Sequence, residues 1–478
     1  MNPQMSPGQR LRDAVLHSPS AQSAPHADST SPGVSGRDTV LPLEPKGWSL
    51  RAAFAALFSF EFLFVLFLLA GRIKSNPHLA WLPVDMTALF FALSVIAGAL
   101  IVMTKKVNRY GLVIAAALAA FVTWLTVSLS WTPSIIYAHQ KALYSVLSFW
   151  ACAGAAVIIA ADRARVRRFL TLVVVFALWY AIEGLIAYAT AETRSFLQVG
   201  GANYFLLGDL VGCGAVIALA TLISLRRRGT FKVMLAVLFA LFFFIVLVAG
   251  ARQPLLGLTI ALVLAAVIGF RTAPGGIAFK RFQRGAWALL LAAAVAIVAL
   301  IATGSMTQTL ARFQTLFYAE DGGRSAAARQ VAWAQAFDFW TSAPIVGHGV
   351  GSYPILENWV TDERRHPHNI FLETLCELGL VGLILLSLFL LVALRCIKFQ
   401  RLREDALFRC IFLLAVYQCI ASMVTTDLSE HRLLYSALGL LALPELQPIA
   451  RPSMYRTGTP QRGRILLGVS PRRPQQQL

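Results

Sequence analysis

Charge is scarce in this chain. Only 14% of its residues are Asp, Glu, Lys or Arg, against about 25% in soluble domains. The charge is also lopsided: 42 Lys and Arg stand against 23 Asp and Glu, for a net +19. Cysteine is rare, with six in 478 residues, all in or near apolar stretches. That excludes a disulfide framework, and no Cys/His spacing of a zinc site is present. No apolar region follows an early basic start, so no cleavable signal peptide is expected, and the first apolar helix, from about Ala52, acts as the insertion signal.

Long apolar runs, by contrast, are abundant. The chain is 57% hydrophobic, and runs of about 20 residues recur, each long enough to cross a bilayer as a helix. The expected fold is all-α and integral to the membrane, with about twelve transmembrane helices and one large periplasmic loop that itself contains helices. The spans fall near 52–70, 84–104, 110–130, 142–161, 169–189, 203–225, 231–250, 254–270, 285–303, 370–394, 406–424 and 431–448. Residues 1–48, rich in Ser, Pro, Gly and His, read as a disordered tail. Residues 49–303 then hold helices 1–9, residues 304–369 the large loop, residues 370–448 helices 10–12, and residues 449–478 a basic tail.

The surplus of positive charge is a statement about topology. One set of short loops is rich in Lys and Arg, as in Arg163, Arg165, Arg167 and Arg168, or Arg226, Arg227 and Arg228. The alternate loops carry far less: Arg72 and Lys74, Lys141, Arg194, Arg252 and Arg432. The rich set belongs in the cytoplasm with both termini, next to anionic lipid headgroups. Basic residues scattered over separate loops exclude a nucleic-acid surface.

The large loop is not of low complexity, and long ordered loops are usually functional. Arg324 to Trp340 reads as a helix between Gly322-Gly323 and Pro344, with Val331, Ala334, Phe337 and Phe339/Trp340 as its apolar side. The Gly-rich stretch from Pro344 to Pro354 must turn tightly; without a Lys-Ser/Thr ending it is no nucleotide loop. The loop ends in His366-Pro-His-Asn. Pro367 drives His366 out of helical geometry, and Asn369 is a good cap for the next helix. His368 then sits beside exposed backbone N–H groups that favour anions and keep an imidazole neutral, able to accept a proton. Arg252 lies in a very short outward turn, Ala249-Gly-Ala-Arg-Gln-Pro254. It is a candidate anion ligand with Arg324, because the guanidinium fork matches phosphate oxygens.

Other residues have competing readings. A turn hydrogen bond suffices to explain His348 or His366. Asp427 either orients a basic group or pairs with Arg432. Glu373 and Glu377 suit the first turns of helix 10 and also have the option of facing the cavity. Gly379 and Gly382 suggest close helix packing. Glu61, Glu183 and Asp209, inside spans, are functional candidates or partners in interhelical hydrogen bonds.

His368-Asn369, then nine residues, then Gly379 and Gly382 resembles the signature of the O-antigen ligase family, within the wider group of O-antigen polymerase and ligase-like proteins. The twelve-span plan, the large loop before helix 10 and the outward arginine strengthen the resemblance, which covers roughly residues 50–448. It departs in having Leu383-Ile384 where the ligase pattern often continues with Thr, which bears on ligase versus polymerase. The resemblance implies an inverting, metal-independent glycosyltransferase in the inner membrane of a Gram-negative bacterium, needing no cofactor. Its donor would be an undecaprenyl-diphosphate-linked glycan and its acceptor a sugar of lipid A-core, joined at the periplasmic face. It implies His368 as base, Arg252 and Arg324 as diphosphate ligands, and supporting roles for Asn369, Asp427 and His348. The alternatives of similar build are a repeat-unit polymerase and a protein O-oligosaccharyltransferase. A lipid-linked glycan transporter would favour inverted repeats, and no convincing internal repeat is present.

Overall fold

Each of the apolar runs contains a helix in the computed structural model. It describes residues 59–445 apart from 78–80, 82–83, 191–196, 198, 202, 226–228, 269–270, 274–275, 279–280, 303–323, 359–361 and 423–426. The predicted tails, 1–48 and 449–478, lie outside the described residues. The helices before the large loop are α1 (Phe60–Lys74), α2 (Met86–Thr104), α3 (Arg109–Val127), α4 (Ile136–Ala153), α5 (Arg163–Thr190), α6 (Tyr204–Ser224), α7 (Thr230–Val248), α8 (Arg252–Val267) and α9 (Arg281–Ala302). The loop adds α10 (Arg324–Ser342) and α11 (Tyr353–Asn358). After it come α12 (Ile370–Leu394), α13 (Phe399–Glu404), α14 (Ala406–Ser422) and α15 (Arg432–Leu440).

Among the described residues, seven helices are long and apolar enough to cross a membrane: α2 to α7 and α12, with α3 and α4 counted together with the short helical turns that extend them. The helices α8 and α14 are apolar but shorter. Length and composition therefore support a multi-pass membrane protein; the expected spans outside this set contain α1, α8, α9, α14 and α15. The fold is helical with one small departure from the all-α expectation. Strands β1 (Arg271–Ala273) and β2 (Gly276–Ala278) pair antiparallel between α8 and α9.

Side chains place several helix starts. Asp85 caps α2 by accepting from the Thr87 and Ala88 N–H groups at 2.8 and 3.1 Å. Asn108 and Asn203 cap α3 and α6 in the same way, from Tyr110 and Leu206. Such caps stabilise a helix by ~1 kcal/mol each and fix where it begins.

The centre of the bundle is α6. Every residue from Leu207 to Ile223 is buried, between α5, α7, α8 and α14. Small residues allow this: a Cβ on Gly212 would lie 1.9 Å from the Tyr417 hydroxyl of α14. The outer faces of α2, α7 and α12 instead expose Leu, Ile, Val and Met side chains, among them Ile96, Met103, Val237 and Ile384. An apolar exterior with all backbone groups bonded inside helices is what a lipid environment requires. The intramembrane acids are paired between helices. Glu61 accepts from Arg168 at 3.0 Å, Asp209 pairs with Arg72, and Glu183 accepts from Asn76 at 3.4 Å.

Candidate active site

The His366-Pro-His-Asn stretch ends where α12 begins. Asn369 is the cap: its Oδ1 accepts from the Phe371 and Leu372 N–H groups at 3.0 and 3.2 Å. One residue earlier the chain is strained. His368 has φ 54°, the one positive φ outside glycine among the described residues. Left-handed geometry is uncommon for a residue with a Cβ, and such strain concentrates at functional sites.

The first glycine of the signature does something other than pack helices. Gly379 has φ 66° and ψ −163° in the middle of α12, so the helix is broken there. The segment 344–349 fills the break. Pro344 and Ile345 carbonyls accept from the Leu380 and Val381 N–H groups at 2.9 and 3.2 Å. The His348 and Gly349 N–H groups donate in turn to the Cys376 and Glu377 carbonyls at 3.1 and 2.8 Å. A Cβ on Gly379 would lie 2.3 Å from the Ile345 carbonyl oxygen. The expected tight turns in this stretch are present, with positive φ at Gly347, Gly349 and Gly351. Gly382 lies against its own helix, where a Cβ would come within 2.3 Å of the Leu378 Cβ.

The two histidines face each other, ring centres 4.3 Å apart. Both ring nitrogens of His366 and Nδ1 of His368 are buried with no hydrogen-bond partner among the described residues. Burial, and then the neighbouring His368, push His366 down to about 3. Burial and then Arg329 lower His368 from its ordinary value. Arg329 comes from α10, and burial and then Arg252 bring its own pKa below the ordinary value. Arg252, the first residue of α8, and His368 are therefore both electrostatic neighbours of one guanidinium. The face that seats α10 on α12 consists of Ala332, Ala336 and Phe339, packed with Tyr353 and Cys376. Arg329 shares that face, three and seven residues before Ala332 and Ala336.

Beneath the histidines lies a buried ionic cluster. Lys141 is fully enclosed and pairs with Glu373, and with Glu377 at 2.7 Å. Glu373 also accepts from the Leu428 N–H. Asp427 accepts from the Tyr137 hydroxyl at 2.9 Å and from the Ser429 hydroxyl at 2.6 Å. Arg364 lies 3.6 Å from Asp427 and pairs with Glu430. Burial works against the Asp427 carboxylate, but Lys141, the Ser429 bond and Arg364 outweigh it and hold it down to about 2. The strand-like run 362–367 is pinned at its start. Asp362 accepts from the Ser134 hydroxyl at 2.6 Å and from the Ile135 and Ile136 N–H groups at 2.9 and 2.5 Å, at the head of α4.

Residues 213–387 match the family described as O-antigen ligase. Over this segment the chain is similar to the O-antigen ligase family. No curated protein matches the chain. The ligase-family segment runs from inside α6 to inside α12, so it carries Arg252, Arg329, His368, Asn369 and Gly379. Lys141 and Asp427 lie outside it.

Arg324 opens α10, and its side chain lies outside the described residues; among the described residues of the loop, Arg329 is the arginine whose charge acts on His368. Part of the apolar side expected for α10 is turned outward: Val331, Ala334 and Phe337 are exposed, whereas Phe339 packs inward. Lys141 is no loop charge but an interior residue of α4, which starts six residues before the predicted 142. Asp427 pairs with Arg364, and Arg432 makes no ion pair among the described residues. His348 is engaged in a turn, its Nε2 2.9 Å from both the Ser342 hydroxyl and the Phe339 carbonyl. Glu373 and Glu377 face the interior, one helical turn apart. Sequence reasoning missed Arg329, Tyr137 and Asp362. Only Arg329 left a signal: it lies at helical spacing from the small residues Ala332 and Ala336.

Proposed function

We propose that the protein is a ligase, transferring a glycan from undecaprenyl diphosphate to a sugar hydroxyl of lipid A-core. The reaction would take place at the periplasmic face of the inner membrane, with the 304–369 segment on that side. A general transferase role accords with the family segment. The observation that carries the finer reading is a strained His368 under the charge of Arg329, itself under the charge of Arg252. His368 takes the proton of the acceptor hydroxyl as its oxygen attacks the anomeric carbon. The bond from that carbon to the diphosphate oxygen breaks, and the electron pair leaves with the lipid diphosphate. One displacement inverts the centre. Arg329 and Arg252 neutralise the charge growing on the leaving group, a task that falls to metal ions or to Arg and Lys. Asn369 shapes the helix start, and Asp427 acts through Arg364 and Tyr137 on the run that bears the histidines. General-base catalysis by such a His contributes roughly 10²–10⁴-fold.

The test is reconstitution of the full chain in proteoliposomes with purified lipid-linked glycan and lipid A-core. Transfer without ATP or added divalent metal is expected, and His368→Ala should lose at least about 100-fold of the rate. Full activity in that variant would remove His368 from the mechanism. Extension of the lipid-linked glycan with no core present would make the protein a polymerase instead.

A further inference from the structure

The site described above leaves a cavity of ≈ 670 Å³ unused. It lies where the ends of α1, α2, α6, α14 and α15 meet the middle of α4, and it adjoins the histidine run through Arg364. Part of its wall is apolar, with Leu68, Phe91, Leu147 and Leu206. The rest is charged, with four cations, Arg72, Lys74, Arg364 and Arg432, against three carboxylates, Asp85, Asp209 and Glu430.

Three of the cations are already matched. Arg72 pairs with Asp209, Lys74 with Asp85 at 2.6 Å, and Arg364 with Glu430. Asp209 is further held by Gln418 at 2.8 Å. Arg432 makes the cations one more than the carboxylates: among the described residues it forms no ion pair, and Glu430 and Asp85 attract it only from farther off. Its Nη1 donates to the Phe67 carbonyl at 2.8 Å, and its guanidinium stands 5.3 Å from the Phe67 ring centre. Its Nη2 lies 3.2 Å from where a Cβ on Gly71 would be, next to Arg72 in the chain. The two guanidiniums repel each other. In addition, Arg72 Nη1 is buried without a hydrogen-bond partner among the described residues. A buried donor left unmet asks for an explanation, and like charges held side by side ask for a counter-ion.

We propose that this cavity binds a phosphate monoester between Arg72 and Arg432, with the remainder of the ligand against the apolar wall. Guanidinium forks match phosphate oxygens in shape as well as charge. The carboxylates of the wall are no obstacle, since each is already engaged by a cation. The phosphate is carried either by a lipid headgroup or by a small soluble molecule. The inference does not depend on glycan transfer, because the cavity is not the place where the charge of Arg329 acts on His368.

The full chain in a maltoside micelle, given radiolabelled dodecyl phosphate or inorganic phosphate, tests this directly. One dodecyl phosphate per chain should bind saturably, and Arg432→Gln should weaken it at least tenfold. Ala88→Trp, an exposed position on the cavity wall, fills the space without changing charge and should weaken binding as much. Comparable binding of inorganic phosphate assigns a small soluble ligand; binding of dodecyl phosphate alone assigns a lipid headgroup. No saturable binding of either probe overturns the proposal, and so does wild-type affinity in Arg432→Gln. Should that variant fail to fold, Ala88→Trp decides in the same way.

Discussion

His368 stands on a left-handed backbone between a proline-constrained residue and a helix cap. Its ring is half-buried beside a cation, and both facts favour the neutral imidazole. The sign for pH follows. With the pKa below its usual 6.5, the neutral base persists to lower pH, and activity is lost only as pH falls through the depressed value. The acid limb of kcat/KM should therefore lie below pH 6.5 for the wild type. Arg329→Gln removes one cause of the depression, so its acid limb should move to higher pH while its rate falls. A pH–rate profile of both proteins decides this; an unshifted limb in the variant would separate Arg329 from the base. His366, pushed down to about 3, stays neutral throughout such a profile and contributes no limb of its own.

At the scale of elements, α12 is a helix with a repair in it. Gly379 leaves helical geometry, and the 344–349 segment supplies hydrogen bonds across the break. Gly379→Ala places a Cβ at 2.3 Å from the Ile345 carbonyl and forces a strained φ. We expect it to destabilise the protein by about 1–3 kcal/mol, measured as a lower unfolding temperature in detergent, with transfer activity falling in parallel. A variant that kept wild-type stability would mean the break relaxes without cost. This element also marks the limit of what could be read in advance. The cap at Asn369 and the departure at Pro367 are local effects, decided by neighbours in the chain, and both were legible. A glycine amid Leu and Val looks like a packing residue, because the segment that fills the break lies some thirty residues away. The rotation of α10 was hidden for a related reason. Its seated face uses two alanines and one phenylalanine, whereas its bulkier Val331 and Phe337 point outward.

For the molecule as a whole, the cost of burying charge is met by pairing residues far apart in sequence. Lys141 sits 232 residues from Glu373. A span read from hydropathy begins after such a lysine, which is why its interior place was not legible. Removing one member leaves the others buried and uncompensated, and breaking such a pair costs about 3–5 kcal/mol. Lys141→Met should therefore sharply reduce the yield of folded protein. Adding Glu373→Gln and Glu377→Gln to it should recover much of the loss, as read by thermal unfolding in detergent. If the triple variant is no more stable than the single one, the cluster is not an energetic unit. The helices themselves were legible from apolar runs alone, since lipid demands only that backbone groups be bonded and side chains be apolar.

The insertion at Gly379 has one further effect. Hydrogen bonds fasten Pro344 and Ile345 to Leu380 and Val381, so the chain between these points forms a ring. It is closed without a covalent clasp, in a protein whose six cysteines are all free. His368 and its cap ride on this ring, and Arg329 stands on the helix that enters it. The ring's circumference is thus a fixed dimension: a residue added or removed within it has to be absorbed by the histidine run or by the clasp itself.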